Sequence, residues 1–315
     1  MKKILYCFIL IFLFTITGCQ SNKNIKYTNE ENTITDCLGN SCVLPDNPRI
    51  VSCYGSFSEC WLLSGGNLVG VTDDAVDERN LNIDDSVTNV GTVKDINLEL
   101  VISLVPDYVI LSNEIASHKQ LAPALKNMGV NFGFFQIDNF TDYDELMAQF
   151  CKINKRDDLY KQNVLDVSEN INLILSKIPE ESNKTYLVMR AYSTGIKVKT
   201  DNIADNILRE FNIANITDKT PSLLNDLSAE HIISQNPDYI FVLTMGDEDA
   251  AYKYIKENIE NNPAWKDLDA VKNNNYIVLP KNLFHYKPNN RWDESYEYIA
   301  KIIYPEIFGD HQSYN

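Results

Sequence analysis

The feature that most constrains the fold of this chain is a short segment that occurs twice. Residues 97–108 read NLELVISLVPDY, and residues 228–239 read SAEHIISQNPDY. Six of these twelve positions are identical at a constant offset of 131 residues. A unit that recurs at so large a distance predicts two lobes of similar architecture, whereas the units of a solenoid recur every ~20–50 residues.

Each copy of the repeat predicts a helix followed by a strand. The helix begins after Asn97 or Ser228, residue types that favour the N-cap, and it has a glutamate in its first turn and a proline at its end. The apolar runs at 108–111 and 239–243 come next. Such runs predict strands that are buried on both faces, as in a parallel sheet.

The remainder of the chain also alternates between predicted strands and helices. Further strands begin at Arg49, Leu68, Thr185 and Asn275, a strand follows Gly129, and further helices begin at Ser58, Ile203 and Ser295. Residues 156–178 keep a helical spacing of apolar residues with no strand between them. The chain is therefore predicted to be of the α/β class, with two Rossmann-like lobes that contain mainly parallel sheets and are joined by one long helix.

The N-terminus carries the pattern of an export signal. Lys2 and Lys3 precede an apolar run at 4–16 that is too short to cross about 30 Å of hydrocarbon. The small residues before Cys19 then resemble the lipobox of bacterial lipoproteins, in which Cys19 would be lipidated, and 20–24 would be a polar tether. An ordinary signal peptide with an incidental cysteine is the alternative. We expect an extracytoplasmic chain, anchored to the cell membrane rather than spanning it.

These patterns together predict the organisation of the chain. The predicted segments are a lipoprotein signal peptide at 1–18, a lipidated tether and hairpin at 19–44, an N-terminal lobe at 45–155, a connecting helix at 156–180, a C-terminal lobe at 183–308 and a tail at 309–315.

The cysteines leave one question open. Cys37 and Cys42 flank a turn-forming stretch, so they could face each other across a hairpin, either as a disulfide or as two thiols. Cys53, Cys60 and Cys151 have no metal-ligand spacing, which favours buried small hydrophobic residues.

Charge and motifs exclude several functions. A net charge of −16 argues against nucleic acid or an anionic membrane surface as a partner. The sequence contains no nucleophile elbow, phosphate loop or dinucleotide fingerprint, and the adjacent Asp73 and Asp74 are too commonplace to indicate a catalytic pair. The four scattered histidines make a bare zinc or manganese site unlikely to form. We expect no enzyme, no metal site and no intrinsic cofactor.

The order and spacing of several segments resemble the helical-backbone (class III) periplasmic binding proteins, which serve iron–siderophore, haem and cobalamin ABC importers. The resemblance runs from about Pro45 to Phe308. It depends on the segments 48–52, 68–72, 97–110, 228–240, 263–272 and 304–305.

This resemblance implies a lipid-anchored receptor, monomeric, that captures an iron–siderophore chelate and delivers it to an ABC permease dimer. A corrinoid such as cobalamin, or haem, is the alternative ligand, and a surface lipoprotein without a transport function is the alternative role. The resemblance also implies that Glu99 and Glu230, one on each lobe, dock into arginine pockets of the permease. A carboxylate in the first turn of a helix also stabilises the helix dipole, so these two interpretations are compatible.

Ligand contacts are expected in the crevice beyond the carboxyl ends of the strands. The predicted ligand-binding residues are Tyr54, Ser56, Phe57, Thr72, Asp73, Thr92, Ser112, Arg190, Tyr192, Thr244, His285, Tyr286, Arg291 and Trp292. The last four belong to a segment at 284–292 that is interpreted as a loop rather than as core. Arginine and aromatic side chains suit an aromatic or anionic chelate. His285 is either an axial ligand to a bound metal or a structural residue.

Overall fold

The computed structural model describes residues 32–200, 202–221 and 229–309. The signal peptide, Cys19, the tether up to residue 31, Ser228 and the tail beyond Gly309 lie outside the described residues. Within these ranges, no helix is both long enough and apolar enough to cross a membrane.

The described strands run through the chain in two groups, after a short N-terminal hairpin. They are β1 (Thr33–Thr35), β2 (Ser41–Val43), β3 (Ile50–Ser52), β4 (Leu68–Val71), β5 (Thr88–Asn89), β6 (Tyr108–Ser112), β7 (Phe132–Phe135), β8 (Thr185–Tyr192), β9 (Gly195–Val198), β10 (Ala214–Asn215), β11 (Tyr239–Thr244) and β12 (Tyr276–Val278).

Helices separate most of these strands. The described α-helices are α1 (Gly55–Leu63), α2 (Asp74–Asp77), α3 (Leu98–Ser103), α4 (Ala116–Asn127), α5 (Phe140–Ile153), α6 (Asp157–Tyr160), α7 (Asp166–Leu175), α8 (Ile203–Arg209), α9 (Ile216–Lys219), α10 (Ala229–Gln235), α11 (Glu248–Ile255), α12 (Asp269–Lys272), α13 (Lys281–Phe284), α14 (Trp292–Ile303) and α15 (Pro305–Phe308).

The two sheets have the same strand order. The first runs β5-β4-β3-β6-β7 and the second β10-β8-β11-β12, with every neighbouring pair in these paths parallel. When the edge strand β5 and the hairpin strand β9 are left out, each sheet has four strands. Numbered along the chain, these lie in the order 2-1-3-4, which is β4-β3-β6-β7 in the first sheet and β10-β8-β11-β12 in the second. The additional strand β9 pairs antiparallel with β8. The α/β class and the two similar parallel lobes predicted from the repeat are confirmed.

The repeated segment forms the predicted unit in each lobe. In the first copy, the Asn97 side chain accepts a hydrogen bond from the Leu100 N–H at 3.1 Å, and α3 follows. In the second copy, α10 ends two residues before Pro237. The strands that follow, β6 and β11, are buried at every position. The apolar pattern recurs because each copy forms a helix that packs on the sheet, followed by a strand that is fully buried.

The predicted connecting helix is continuous in the structure from Asp157 to Leu175. A π-helical turn at Lys161–Leu165 lies between α6 and α7 and turns Asn163 inwards. Its side chain donates to the Leu63 carbonyl at 3.0 Å, and its own carbonyl accepts from the Tyr143 hydroxyl at 3.2 Å. The π turn therefore fixes the connecting helix to the N-terminal lobe.

The apolar core does not stop at the boundary between the lobes. One buried cluster contains Trp61 and Phe150 of the first lobe, Val167 of α7, and Phe211 and Trp292 of the second half of the chain. Smaller clusters fill the other face of each sheet. The two lobes therefore share a core along the connecting helix.

The structure answers the question left open for Cys37 and Cys42, which do not face each other across the hairpin. The β1–β2 hairpin aligns Cys42 with Ile34, because Cys37 lies in the turn and is exposed. All five described cysteines are free, and Cys53, Cys60 and Cys151 are buried as predicted.

A tight contact in the first sheet leads to a stability prediction. Gly133 of β7 packs against the ring and hydroxyl of Tyr108, and a Cβ atom added there would overlap that hydroxyl. We expect Gly133→Ala to lower the free energy of unfolding by about 1–3 kcal/mol through overpacking, measured by urea denaturation. Gly195→Ala is the control, because nothing lies within 4 Å of its added Cβ. Equal stabilities of the two variants would contradict this packing.

Candidate functional site

A cleft lies between the lobes at the carboxyl ends of their strands. It encloses about 610 Å³, within the usual range of about 300–1,000 Å³ for small-molecule sites. Tyr54 follows β3 and Ser112 ends β6, while Tyr192 ends β8 and Met245 follows β11. These pairs of strands flank the point at which each sheet changes strand order, where open α/β sheets bind ligands.

Six of the predicted ligand-binding residues line this cleft. They are Tyr54, Ser112, Arg190, Tyr192, His285 and Tyr286. The first two come from the N-terminal lobe, the next two from the β8–β9 hairpin, and the last two from the turn that follows α13. The strand-end rule therefore brings residues from four separate parts of the sequence to one place.

Five of the other predicted residues lie in the interior rather than on the cleft wall. Ser56 and Phe57 are buried because α1 begins at Gly55 and carries both side chains into the core. Thr72 is buried and donates to Asp74 at 2.6 Å, and Thr244 is buried and donates to Glu248 at 3.2 Å. Trp292 is fully buried in the shared core.

The remaining three predicted residues are not among those that line the cleft. Asp73 precedes α2, and its backbone N–H donates to the Gly91 carbonyl at 3.0 Å. Thr92 is exposed on the following loop. Arg291 forms a bidentate pair with Glu294 of α14, at 2.9 and 2.7 Å. The prediction that 284–292 is loop rather than core is wrong for much of the segment, because Phe284, Trp292 and the residues 287–289 are buried.

The sequence did not single out most of the charged residues of the cleft. Among the residues that line it are Glu78, Lys94, Glu114, Asp138, Asp247 and Lys281. Each is a common surface residue type in a predicted loop or helix end, so periodicity gives no signal for it. Their position at strand ends is the one property that could have nominated them.

Arg190 is the cation best placed to meet a ligand. It lies on β8 opposite Lys197 of β9, and its Nε is buried. Within the described ranges, no atom accepts a hydrogen bond from that Nε. A buried donor without a partner costs about 1–3 kcal/mol, and a ligand oxygen would recover that energy if the side chain turned its Nε towards the cleft.

Burial keeps two tyrosines and one histidine of the cleft uncharged at physiological pH. Burial raises the pKa of Tyr54 and raises that of Tyr286 to about 12. Burial, with the nearby Lys281 and Arg190, lowers the pKa of His285 to about 4. His285 therefore presents an uncharged imidazole beside the ring of Tyr286, with 5.0 Å between the ring centroids. Among the described residues, no group of three or more histidine, cysteine or carboxylate side chains could hold a metal ion.

The back of the cleft contains an ion pair between the lobes. The Lys287 ammonium donates to Glu114 Oε2 at 2.7 Å, and its side chain is only 6% exposed. Lys287 follows α13 in the C-terminal half of the chain, whereas Glu114 follows β6. Protein oxygens already accept hydrogen bonds from this ammonium. It is therefore less available to a ligand than Arg190 is.

A buried histidine that the sequence did not nominate supports the N-terminal wall. His118 of α4 accepts a hydrogen bond from the Ser112 N–H at its Nδ1, 2.8 Å away. Its Nε2 lies 3.0 Å from the Val93 carbonyl, so the proton of the neutral ring is on Nε2. Ser112 and Val93 both line the cleft, so His118 joins two of its loops from behind.

The two glutamates of the repeat are both exposed in the first turns of their helices. Glu99 lies in α3 and Glu230 in α10. Each helix leads into a parallel strand, so its N-terminus lies on the same side of its sheet as the carboxyl ends of the strands. Both carboxylates are therefore on the cleft side of their lobes.

Comparisons with known proteins agree with this architecture. The periplasmic binding protein family matches residues 50–283. The Fe(3+)-citrate-binding protein YfmC of Bacillus subtilis (strain 168) is 26% identical over 84% of this chain and 85% of its own length. The petrobactin-binding protein YclQ of the same organism is 27% identical, over 89% and 91% respectively. These relatives are binding proteins, not enzymes, as the sequence predicted.

A solved structure shares the fold. The iron uptake ABC transporter substrate-binding protein PiuA of Streptococcus pneumoniae Canada MDR_19A superimposes with a TM-score of 0.67 at 19% identity. The alignment covers 88% of this chain and 99% of PiuA.

The buried His118 predicts a pH dependence of stability. Burial lowers its pKa from 6.5 to about 4, so the unfolded state binds more protons between these two values. Neutral His118 contributes fully to the free energy of unfolding above pH 6.5. This contribution is lost as the pH falls towards 4, and the loss is at most about 3 kcal/mol. We expect the free energy of unfolding of His118→Gln to fall less over this interval than that of the wild type, measured by urea denaturation.

The control for this prediction is Gln120→Asn, which changes an exposed, non-ionisable side chain on α4, the helix that carries His118. It should keep the pH slope of the wild type. A slope that is the same for His118→Gln and the wild type would show that His118 does not titrate in this range.

Proposed function

Because this chain belongs to the periplasmic binding protein family, we propose that it captures a ferric chelate outside the cell membrane and delivers it to an ABC permease. The observation that carries the proposal is the position of Arg190, whose Nε has no acceptor, on the wall of a cleft of about 610 Å³. Ferric chelates present carboxylate or other oxygen acceptors, which arginine recognises through its fork of donors.

The aromatic wall supports the same ligand class. Tyr54, Tyr192 and Tyr286 present flat aromatic surfaces to the cleft, and such surfaces suit the organic part of a chelate. The names of two relatives refer to ferric citrate and to petrobactin, which supports an iron chelate as the first candidate.

Haem or a corrinoid is the second candidate ligand, and the observation in its favour is His285. Its pKa of about 4 keeps the imidazole neutral at physiological pH, the form that binds metals. It also lines the cleft, so it could reach the metal of a flat macrocycle.

We also propose how the protein is held and how it docks. Lipid on Cys19 would keep the monomer near the membrane, and Glu99 and Glu230 would contact the two subunits of the permease. The exposure of both carboxylates on the cleft side supports this arrangement. Two carboxylates on separate lobes would fix the orientation of docking and make it sensitive to salt.

Binding is tested with residues 20–315 and a panel of ferric citrate, ferric siderophores, cobalamin and haemin, by quenching of tryptophan fluorescence. We expect at least one ferric chelate to bind at micromolar concentration or better. Arg190→Gln should weaken that binding by roughly 10–150-fold, the equivalent of about 1.5–3 kcal/mol for a hydrogen bond to a charged group.

Arg156→Gln is the matched control, because Arg156 is paired with Asp158 on the surface. The affinity of this variant for the chelate should equal that of the wild type. If none of the chelates binds at micromolar concentration, the proposed ligand class is wrong, while the fold and the family are unaffected.

Docking is tested by uptake of a labelled ferric chelate into cells that carry the double variant Glu99→Ala, Glu230→Ala. We expect uptake to fall to near background while chelate binding in solution is unchanged, because neither residue lines the cleft. The control is Glu169→Ala, Glu306→Ala, which removes two exposed first-turn carboxylates from other helices. Normal uptake by the first double variant would remove the docking assignment.

A further inference from the structure

The segment 286–291, here called the crossing segment, connects α13 to α14. It belongs to the second half of the chain, but its buried side chains bind to the N-terminal lobe. Lys287, Pro288 and Asn289 are all buried. The segment also carries Tyr286, which lines the cleft, and it follows His285 directly.

The first attachment of the crossing segment is the Lys287 ammonium. It donates to Glu114 Oε2 at 2.7 Å and to the Ile137 carbonyl at 2.5 Å, and Asp138 Oδ1 lies 3.9 Å away. All three acceptors follow strands β6 and β7 of the first sheet. Because the side chain is 6% exposed, removal of the ammonium would leave Glu114 without its counter-charge in a partly buried site.

The second attachment is Asn289, which is fully buried against α1. Its Nδ2 donates to the Ser56 carbonyl at 3.0 Å and to Glu59 Oε2 at 2.5 Å, and its Oδ1 accepts from the Cys60 thiol at 3.3 Å. The backbone φ of Asn289 is +55°, a conformation that asparagine tolerates better than most residues. The same Glu59 carboxylate also accepts from Arg79, so this attachment is part of a larger ionic network.

A third contact follows at once. The Trp292 ring, at the start of α14, meets Phe140 of α5 edge to face, with 6.2 Å between the centroids. Three contacts within six residues therefore fasten this part of the chain to the opposite lobe. The lobes are connected covalently by the connecting helix and non-covalently by the crossing segment, which also meets that helix where Asn290 Nδ2 donates to Asn163 Oδ1 at 3.4 Å.

We propose that Lys287 and Asn289 are positioning residues that set the width of the cleft and thereby the size of ligand it accepts. With the crossing segment attached, Tyr286 keeps a fixed position relative to Tyr54. The β8–β9 hairpin, which carries Arg190 and Tyr192, is then held at a set distance from the N-terminal lobe. The consequence for ligand size depends on the proposed function of the cleft. The attachment itself does not, and it is tested without any ligand.

The test measures the distance between the lobes by pulsed electron paramagnetic resonance. Residues 20–315 carry nitroxide labels on cysteines introduced at Met128, the C-cap of α4, and at Tyr252 on α11, which are 60% and 42% exposed. Cys37 and Cys42 are replaced by serine. In Lys287→Met and in Asn289→Gly we expect the mean distance to change by more than roughly 2 Å, the scale of a domain rearrangement, and the distribution to broaden.

The substitutions are chosen to limit other effects. Methionine keeps the apolar stem of Lys287, and glycine accepts the positive φ of Asn289 without strain. Matched controls are Lys301→Met, which breaks an ion pair within α14, and Asn274→Gly, an exposed asparagine with φ +58°. Both controls should keep the wild-type distribution. Lys287→Arg, which retains the charge, should restore most of it.

An unchanged distance distribution in Lys287→Met and Asn289→Gly would overturn the proposal, since the connecting helix and the shared core would then hold the lobes by themselves. Should one variant not fold, the other decides, together with Glu114→Gln, which weakens the first attachment from the opposite lobe. If the distance between the lobes changes in these variants but the wild type binds no chelate, only the proposed function is contradicted.

Discussion

The burial of one apolar core across both lobes is the constraint on which the rest of the structure depends. Trp61 and Phe150, the connecting helix and Trp292 are removed from water together, and hydrophobic burial is the dominant favourable term in folding. Two lobes with separate cores could separate freely, as transient interfaces do. Here the shared core joins them along one side, so the cleft has a fixed back and polar walls.

The polar residues of the cleft follow from this arrangement. At the carboxyl ends of parallel strands the backbone leaves the sheet, and its loops must find partners or meet water. His118 supplies such partners to Ser112 and Val93 from behind the wall. Lys287 supplies one to the Ile137 carbonyl. Among the residues that line the cleft, Arg190 alone has a buried side-chain nitrogen, Nε, without an acceptor; the four other described residues with a buried polar side-chain atom that lacks a partner, Arg79 among them, are not part of this lining.

The sequence could predict the sheets because their signal is strong and local. Fully buried strands such as β6 and β11 have continuous apolar sequences. The repeat indicates that these two strands occupy equivalent positions in the two lobes. It also predicted that Tyr54, Ser112, Arg190 and Tyr192 would meet, since all lie at strand ends. Ser56 and Phe57 were misplaced because a helix beginning at Gly55 turns the next residues into the core.

The ion pair of Lys287 with Glu114 lay beyond sequence reasoning for a different reason. Lysine and glutamate are solvent-exposed in most contexts, and these two are separated by 173 positions. Trp292 was misplaced because aromatic residues beside Pro288 and Asn289 have the composition of a loop, whereas Asn289 is itself buried. Interactions between distant loops have no periodicity, so they become visible only in three dimensions.

The β8–β9 hairpin has a consequence for how such a receptor can change its cargo over evolutionary time. Ser193 and Thr194 form a two-residue turn beyond the last paired residues, Tyr192 and Gly195. Insertions or replacements at this tip would reshape one wall of the cleft without altering the register of the parallel strands. The two sheets share their strand order, and the hairpin, which has no counterpart in the described strands of the first sheet, offers a part on which selection for new ligands can act.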